Sequence, residues 1–302
     1  MSKIALVGVD WGSTSARAFR IAPDGGIIDV RRAEDGVFAG HDSFDKRLRS
    51  LIGEWLPSED PPPILLCGMI GSDRGWVHAP YVAAPSGLDD LARGLVFAPF
   101  DGAACIVPGV SLVVGETCEV MRGEETLLMG LAAQESRRTV CLPGTHSKWV
   151  DLIDGRIVAF RTCMTGEMRA LLLGGGTLAP QVPQVPSRRE FLNGLVASRE
   201  AGALATRLFQ ARARRLLGNL AAEHVAAFVS GILIGDEIER QVSNATRREP
   251  IVLVARGVLA EDYSVALKLA GQPFNTVDPE TLAAAGLLKI AVCAGLVEGG
   301  TM

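Results

Sequence analysis

Two short segments of this chain carry the residue types that grip a polyphosphate. Asp10-Trp11-Gly12-Ser13-Thr14 follows the apolar run Ile4 to Val9, and Pro143-Gly144-Thr145-His146-Ser147-Lys148 follows the run Thr139 to Leu142. Glycine lets the backbone approach an anion, while free amides and a hydroxyl supply hydrogen-bond donors. Gly12, Ser13 and Thr14 are therefore phosphate candidates from one segment, and Gly144 and Thr145 from the other. Asp10 ends the first apolar run, where a carboxylate suits Mg²⁺, a cation that takes one or two carboxylates and keeps several waters. A turn carboxylate bonding local amides is the competing reading.

Three further groups could do chemistry. The short apolar run from Ile64 leads into Gly68-Met69-Ile70-Gly71-Ser72-Asp73-Arg74-Gly75-Trp76. Ligands gather beyond the carboxyl ends of strands in α/β sheets, so Gly71, Ser72 and Trp76 are substrate candidates. The plainer alternative is a glycine-rich connection with a packing tryptophan. Glu124 and Glu125 fall in the first turn of a helix after Arg122-Gly123. A positioned carboxylate can take the proton of an attacking hydroxyl, but acidic residues also suit helix N-termini for purely electrostatic reasons. Arg17, Arg74, Arg122 and Arg161 offer planar forks for an anionic group, and the residues alone do not choose among them. Finally, Gly231 and Gly235 lie one turn apart in a helical stretch, where a nucleotide or another helix can approach closely.

The elements that must hold these residues repeat. Each phosphate segment interrupts a strand–hairpin–strand pattern, followed by a turn at Pro23-Asp24-Gly25-Gly26 or Asp154-Gly155 and a third strand. At 302 residues the chain is long enough for two cores. Residues 1–115 form the expected first domain and 116–281 the second; a closing helix at about 282–302 can pack back onto the first. Ser43 can cap a helix with Phe44, Leu48, Leu51, Ile52 and Trp55 at helical spacing. Helical stretches are expected from Leu204 to Leu217 and from His224 to Arg240. A strand from Ile251 to Val254 precedes Arg256-Gly257, and a helix is expected near Tyr263 to Leu269.

Composition narrows the class. Hydrophobic content of 48% supplies buried sheets, and a net charge of −4 gives no global basic field for nucleic acid or an anionic membrane. Local arginine runs at Arg188-Arg189, Arg212-Arg214-Arg215 and Arg247-Arg248 read as solvated faces. Six scattered cysteines without a C-x-x-C pair read as buried, reduced thiols. Lys289 divides the apolar stretch Leu282 to Val297, which falls short of a membrane span. A cytoplasmic enzyme with a small-molecule substrate, no nucleic-acid or membrane partner, and a homodimeric state is a reasonable expectation.

The two phosphate segments and the late strand with glycine resemble the three nucleotide motifs of the sugar kinase, Hsp70 and actin superfamily. Within it, Asp10 to Ser15 with Arg17, Gly68 to Trp76, Met121 to Thr126, Pro143 to Val150 and Arg161 to Glu167 together resemble the 2-dehydro-3-deoxygalactonokinase family. The resemblance spans nearly the whole chain. It implies an α/β fold of two ribonuclease H-like domains (duplicated βββαβαβα, the actin-like ATPase fold) with an interdomain cleft. It also implies ATP and Mg²⁺ as cofactors and phosphorylation of 2-dehydro-3-deoxy-D-galactonate at its C6 hydroxyl. Glu124, Glu125 and Asp10 become the catalytic candidates: both glutamates precede the second phosphate hairpin by one helix, where related carbohydrate kinases place an acidic base, and Glu124 is slightly preferred; the acid's carboxylate makes Arg122 and Arg17 the substrate arginines. Gly231 and Gly257 join the ATP-binding set. Arg256 departs from the paired small residues common after the adenosine-motif strand. Kinases for another sugar acid or hexose, and a non-catalytic sensor of the same fold, are the alternatives.

Overall fold

The computed structural model describes residues 4–39, 42–56, 61–101, 104–131, 137–243 and 249–298; Arg247 and Arg248 lie outside them. The chain divides into two units: Met1–Arg137 with Val150–Phe160 and Asp278–Met302, and Arg138–Trp149 with Arg161–Val277.

The first unit opens with β1 (Leu6–Trp11), β2 (Ala16–Ile21) and β3 (Ile27–Ala33), an antiparallel meander continued by α1 (Phe44–Ile52) and β4 (Ile64–Gly68). Ser43 does precede α1, but its hydroxyl makes no capping bond. The chain continues through β5 (Val82–Ala83), α2 (Leu88–Arg93), β6 (Val96–Phe97), β7 (Ala104–Ile106), β8 (Val110–Val114), β9 (Thr117–Met121) and α3 (Glu124–Leu131). The main sheet has the order β3-β2-β1-β4-β7-β6, and β5-β8-β9 form a small second sheet. β4 is buried along its whole length, as expected of a central parallel strand covered on both faces. Val7, Val9, Trp11, Leu48, Ile52, Ile64, Leu66 and Ile106 meet in its core.

After α3 the chain repeats the pattern. β10 (Arg137–Leu142), β11 (Ser147–Ile153) and β12 (Arg156–Cys163) lead to α4 (Thr165–Gly174), α5 (Arg188–Ala197), α6 (Leu204–Leu216), α7 (Val225–Ser243), β13 (Ile251–Val254), α8 (Gly257–Leu269) and β14 (Phe274–Val277). The sheet order β12-β11-β10-β13-β14 matches β3-β2-β1-β4-β7 position for position, with parallel pairing at β10–β13 and β13–β14. This duplicated topology is the ribonuclease H-like, actin-type fold that the sequence implies. Helix α8 begins at Gly257, six residues before the start expected near Tyr263.

The chain ends with α9 (Pro279–Cys293), capped by Asp278, whose carboxylate accepts the Glu280 and Thr281 N–H groups. The expected boundary at 115 moves to 137, because the β8–β9 hairpin pairs with β5 and α3 packs on α9 within the first unit. Lys289 donates to the Met129 and Gly130 carbonyls at 3.2 and 3.1 Å, closing the last turn of α3. Among the described residues, no helix is long and apolar enough to cross a membrane.

Candidate active site

In the first unit the ends of β1 and β4 and the start of α3 converge. A Cβ placed on Gly68 would lie 2.7 Å from the Trp11 carbonyl and 3.3 Å from Asp10 Oδ1, and one on Gly123 would lie 3.2 Å from Gly68 Cα. Asp10 is thus one glycine away from the turn that carries Glu124. Its Oδ2 accepts from the Arg17 guanidinium at 2.6 Å, across a pair of residues that face each other in the β1–β2 ladder. Glu280 stands 3.7 Å from the same guanidinium. Arg17, expected to meet substrate, is engaged with Asp10 in this structure. A cation beside a carboxylate at a strand end fixes the carboxylate's direction.

The first phosphate hairpin is held from behind. The Gly12 N–H donates to the Ser15 carbonyl at 2.9 Å, while Val37 and Phe38 N–H groups donate to the Gly12 and Ser13 carbonyls. Gly36 lies so close that a Cβ there would meet Thr14 N at 2.2 Å and the Ser13 carbonyl carbon at 2.3 Å. Arg47, 7% exposed, donates to both Asp35 carboxylate oxygens at 2.8 Å and to the Gly36 carbonyl at 2.6 Å. Trp11 Nε1 donates to the Asp35 carbonyl at 2.9 Å. Ser13 and Thr14 are left partly or fully exposed at the tip. Sequence reasoning missed Asp35, Gly36 and Arg47; the Asp-Gly dipeptide after β3 was the available signal.

The two glutamates differ. Glu124 is half-buried, and its Oε2 accepts the Arg122 N–H at 3.1 Å. Glu125 is 0% exposed; both its oxygens accept the Gly123 N–H, at 2.9 and 2.7 Å, and Thr126 Oγ1 donates to Oε1. Burial, and then the charge of Glu124, push the Glu125 carboxyl up to about 8. Cys67 lies beneath, its thiol pushed well above the ordinary range by burial and then by the charges of Asp10 and Glu125. Glu125 thus closes the amino end of α3 from inside, and Glu124 is the carboxylate with access to solvent.

The loop after β4 brings Gly71 against Arg122: a Cβ on Gly71 would lie 3.0 Å from Arg122 Nη1. Arg122 Nη2 donates to the Ala79 carbonyl at 2.8 Å, and its guanidinium stacks 4.3 Å over the Tyr81 ring. Its Nε and Nη1 are buried with no hydrogen-bond partner, as is Ser72 Oγ. Trp76, expected to wall the substrate, instead packs 6.2 Å from both Phe44 and Phe100 on the hydrophobic core. Its partly buried indole lies between the Phe44 and Phe100 rings, which favours the packing reading of Trp76 over the substrate one. Arg74 lies over the Phe38 ring, and Arg161 is exposed.

In the second unit, Gly144 and Thr145 top the β10–β11 hairpin, with open space beside Gly144 and Thr145 exposed. The start of α4 supports them: Glu167 N–H donates to the Thr145 carbonyl at 2.9 Å, and Gly166 presses against the Gly144 carbonyl. His146 Nε2 meets Glu167 Oε2 at 2.6 Å. Lys148 is 4% exposed and donates to Thr162 Oγ1 at 3.0 Å. Gly257, with φ +57° and open space beside it, starts α8 beyond β13. Gly231 is a correction: a Cβ there would meet the Phe191 carbonyl at 2.2 Å and Gly194 Cα at 2.9 Å. What approaches Gly231 is α5, and the space expected for a nucleotide is filled by helix backbone.

The match to known proteins is extensive. The model of the 2-keto-3-deoxy-galactonokinase family matches residues 10–290. The 2-dehydro-3-deoxygalactonokinase of Escherichia coli (strain K12) is 33% identical over 287 residues, covering 94% of this chain and 97% of that protein. A crystal structure from Sinorhizobium meliloti, described provisionally as a 2-dehydro-3-deoxygalactonokinase protein, superposes with a TM-score of 0.85 at 34% identity, covering 95% of this chain and 98% of that one. The chain belongs to the 2-keto-3-deoxy-galactonokinase family.

Proposed function

We propose that this protein transfers the γ-phosphoryl group of ATP to the C6 hydroxyl of 2-dehydro-3-deoxy-D-galactonate, giving the 6-phosphate and ADP. The observation that carries the reading is the convergence of Asp10, Glu124 and Arg122 around Gly68, Gly71 and Gly123 within one unit. Phosphoryl transfer asks a protein chiefly to align acceptor oxygen, phosphorus and leaving oxygen and to offset charge. Glu124 takes the C6 hydroxyl proton as its oxygen bonds to phosphorus and the bond to the ADP oxygen breaks. Glu125, buried and closed on Gly123, keeps the turn in place.

Arg122 binds the acid's carboxylate. Of the four candidate arginines, Arg17 is spent on Asp10, Arg74 lies over Phe38, and Arg161 is exposed. Only Arg122 among these four holds buried donors without partners, and Ser72 Oγ adds a third orphaned group in the same loop system. A buried donor left unpaired costs about 1–3 kcal/mol, so a carboxylate oxygen that accepts from one of them removes that cost.

Gly12, Ser13 and Thr14 are the phosphate contacts of the first unit, and Gly144, Thr145 and Gly257 the nucleotide-facing positions of the second. Among the described residues no group of three or more His, Cys, Asp or Glu side chains could hold a metal. Asp10 would be the protein's carboxylate for Mg²⁺ carried by the nucleotide and its waters. When bound, the ion supplies charge neutralisation at the phosphates.

A coupled ADP-release assay with Mg·ATP and the galactonate-derived acid, beside its gluconate epimer, tests the reading. Turnover dependent on a sugar acid supports it. ATP binding without turnover on either epimer would favour the sensor alternative.

A further inference from the structure

Beneath the second phosphate hairpin lies a buried carboxylate that no part of the mechanism above uses. Glu237, on α7, is 4% exposed. Its Oε1 accepts Trp149 Nε1 at 2.8 Å, and its Oε2 accepts Tyr263 OH at 2.8 Å and the Thr165 hydroxyl. Tyr263 OH also meets Ser147 Oγ at 2.9 Å, so with the phenol O–H donating to Glu237 the serine hydroxyl donates to the phenol oxygen. Among the described residues no lysine or arginine pairs with Glu237. A buried carboxylate without a counter-charge is expensive: burial pushes the Glu237 carboxyl up, and its directional hydrogen bonds work against that shift.

The donors come from three elements, and each element carries a nucleotide candidate. Ser147 and Trp149 lie on β11, directly after Gly144 and Thr145. Thr165 opens α4, whose Gly166 and Glu167 brace the Gly144 and Thr145 carbonyls. Tyr263 lies on α8, which starts at Gly257. Helix α7 itself is locked against α5 through Gly194 and Gly231, which gives the carboxylate a fixed base.

We propose that Glu237 is the positioning residue of the nucleotide site: one carboxylate that sets the phosphate hairpin, the start of α4 and α8 in mutual register. The inference rests on the kinase reading for what the site binds. It predicts that loss of the carboxylate weakens nucleotide binding while the sugar-acid contacts of the first unit stay intact.

The test compares wild type, Glu237→Ala, Glu237→Gln and Tyr263→Phe by steady-state kinetics, calorimetric titration with ADP and thermal melting. Glu237→Ala should raise the KM for ATP and weaken ADP binding about tenfold or more, with the KM for sugar acid within about twofold. Glu237→Gln should restore most of the affinity, since its amide oxygen still accepts the indole and the hydroxyls can turn to accept from its NH₂. Tyr263→Phe keeps the ring and should shift the same constant by a smaller factor; it serves where the alanine variant does not fold. Unchanged ADP affinity in folded Glu237→Ala or Tyr263→Phe overturns the proposal, and so does an equal rise in both KM values. A wild type that binds ADP but phosphorylates no sugar acid would count against the kinase reading instead, and the titrations would still decide the role of Glu237.

Discussion

Glu124 and Glu125 are neighbours in sequence and opposites in environment: one reaches solvent from the first turn of α3, the other is fully buried with both oxygens on the Gly123 N–H. The helical turn separates them by about 100°, which sends adjacent side chains to different faces.

Replacement of each should therefore fail differently. Glu124→Gln should lower kcat by about 10²–10⁴-fold with ATP binding retained, the range expected for loss of a general base. Near-normal kcat would move the role to Glu125 or Asp10. Glu125→Gln should act mainly on folding, visible as a change in melting temperature.

The raised carboxyl of Glu125 has a pH signature. Its folded value of about 8 lies above the ordinary 4.5, so the folded protein holds the proton more tightly. The stability this contributes is full below 4.5 and lost as pH rises through about 8. Chemical denaturation across that window should show wild-type stability falling with pH and Glu125→Gln falling less. Parallel curves would contradict the assignment.

Gly36 carries no candidate chemistry yet decides the first phosphate hairpin. A methyl group there meets the backbone of Ser13 and Thr14 at 2.2–2.3 Å, so Gly36→Ala must displace the hairpin. We expect kcat/KM for ATP to fall about tenfold or more, the cost of overpacking against backbone. Unchanged kinetics would mean that the hairpin does not hold phosphate.

The Asp10–Arg17 pair separates two readings of Arg17. If the arginine orients Asp10, Arg17→Met should raise the Mg²⁺ concentration needed for half-maximal rate and leave the KM for sugar acid near wild type. Asp10→Asn should shift the same metal requirement more strongly. A rise confined to the sugar-acid KM in Arg17→Met would return Arg17 to the substrate.

What the sequence disclosed follows the strength of its local signals. Both β-meanders were legible because strand alternation, a Gly-hydroxyl turn and an Asp-Gly turn recur in the same order. The β8–β9 hairpin was not read, although Gly115, at φ +60°, opens the two-residue turn between its strands. Missing α5 had a larger consequence. Gly231 marked a close approach by a nucleotide or another helix, and with α5 and its Gly194 unseen the sequence could not decide between them. Trp76 failed for a related reason, because the stacking partners Phe44 and Phe100 are distant in sequence. Nothing local distinguishes Glu237 from Asp236 and Glu239 beside it on α7; only its three donors, brought from β11, α4 and α8, mark it.

The central claim is phosphorylation of the C6 hydroxyl, and the most direct measurement is phosphorus–proton correlation NMR of the product made from ATP and 2-dehydro-3-deoxy-D-galactonate. The account predicts one monoester whose phosphorus couples to the C6 methylene protons. Inorganic phosphate alone, or a phosphorus coupled to a ring or chain methine, would contradict it.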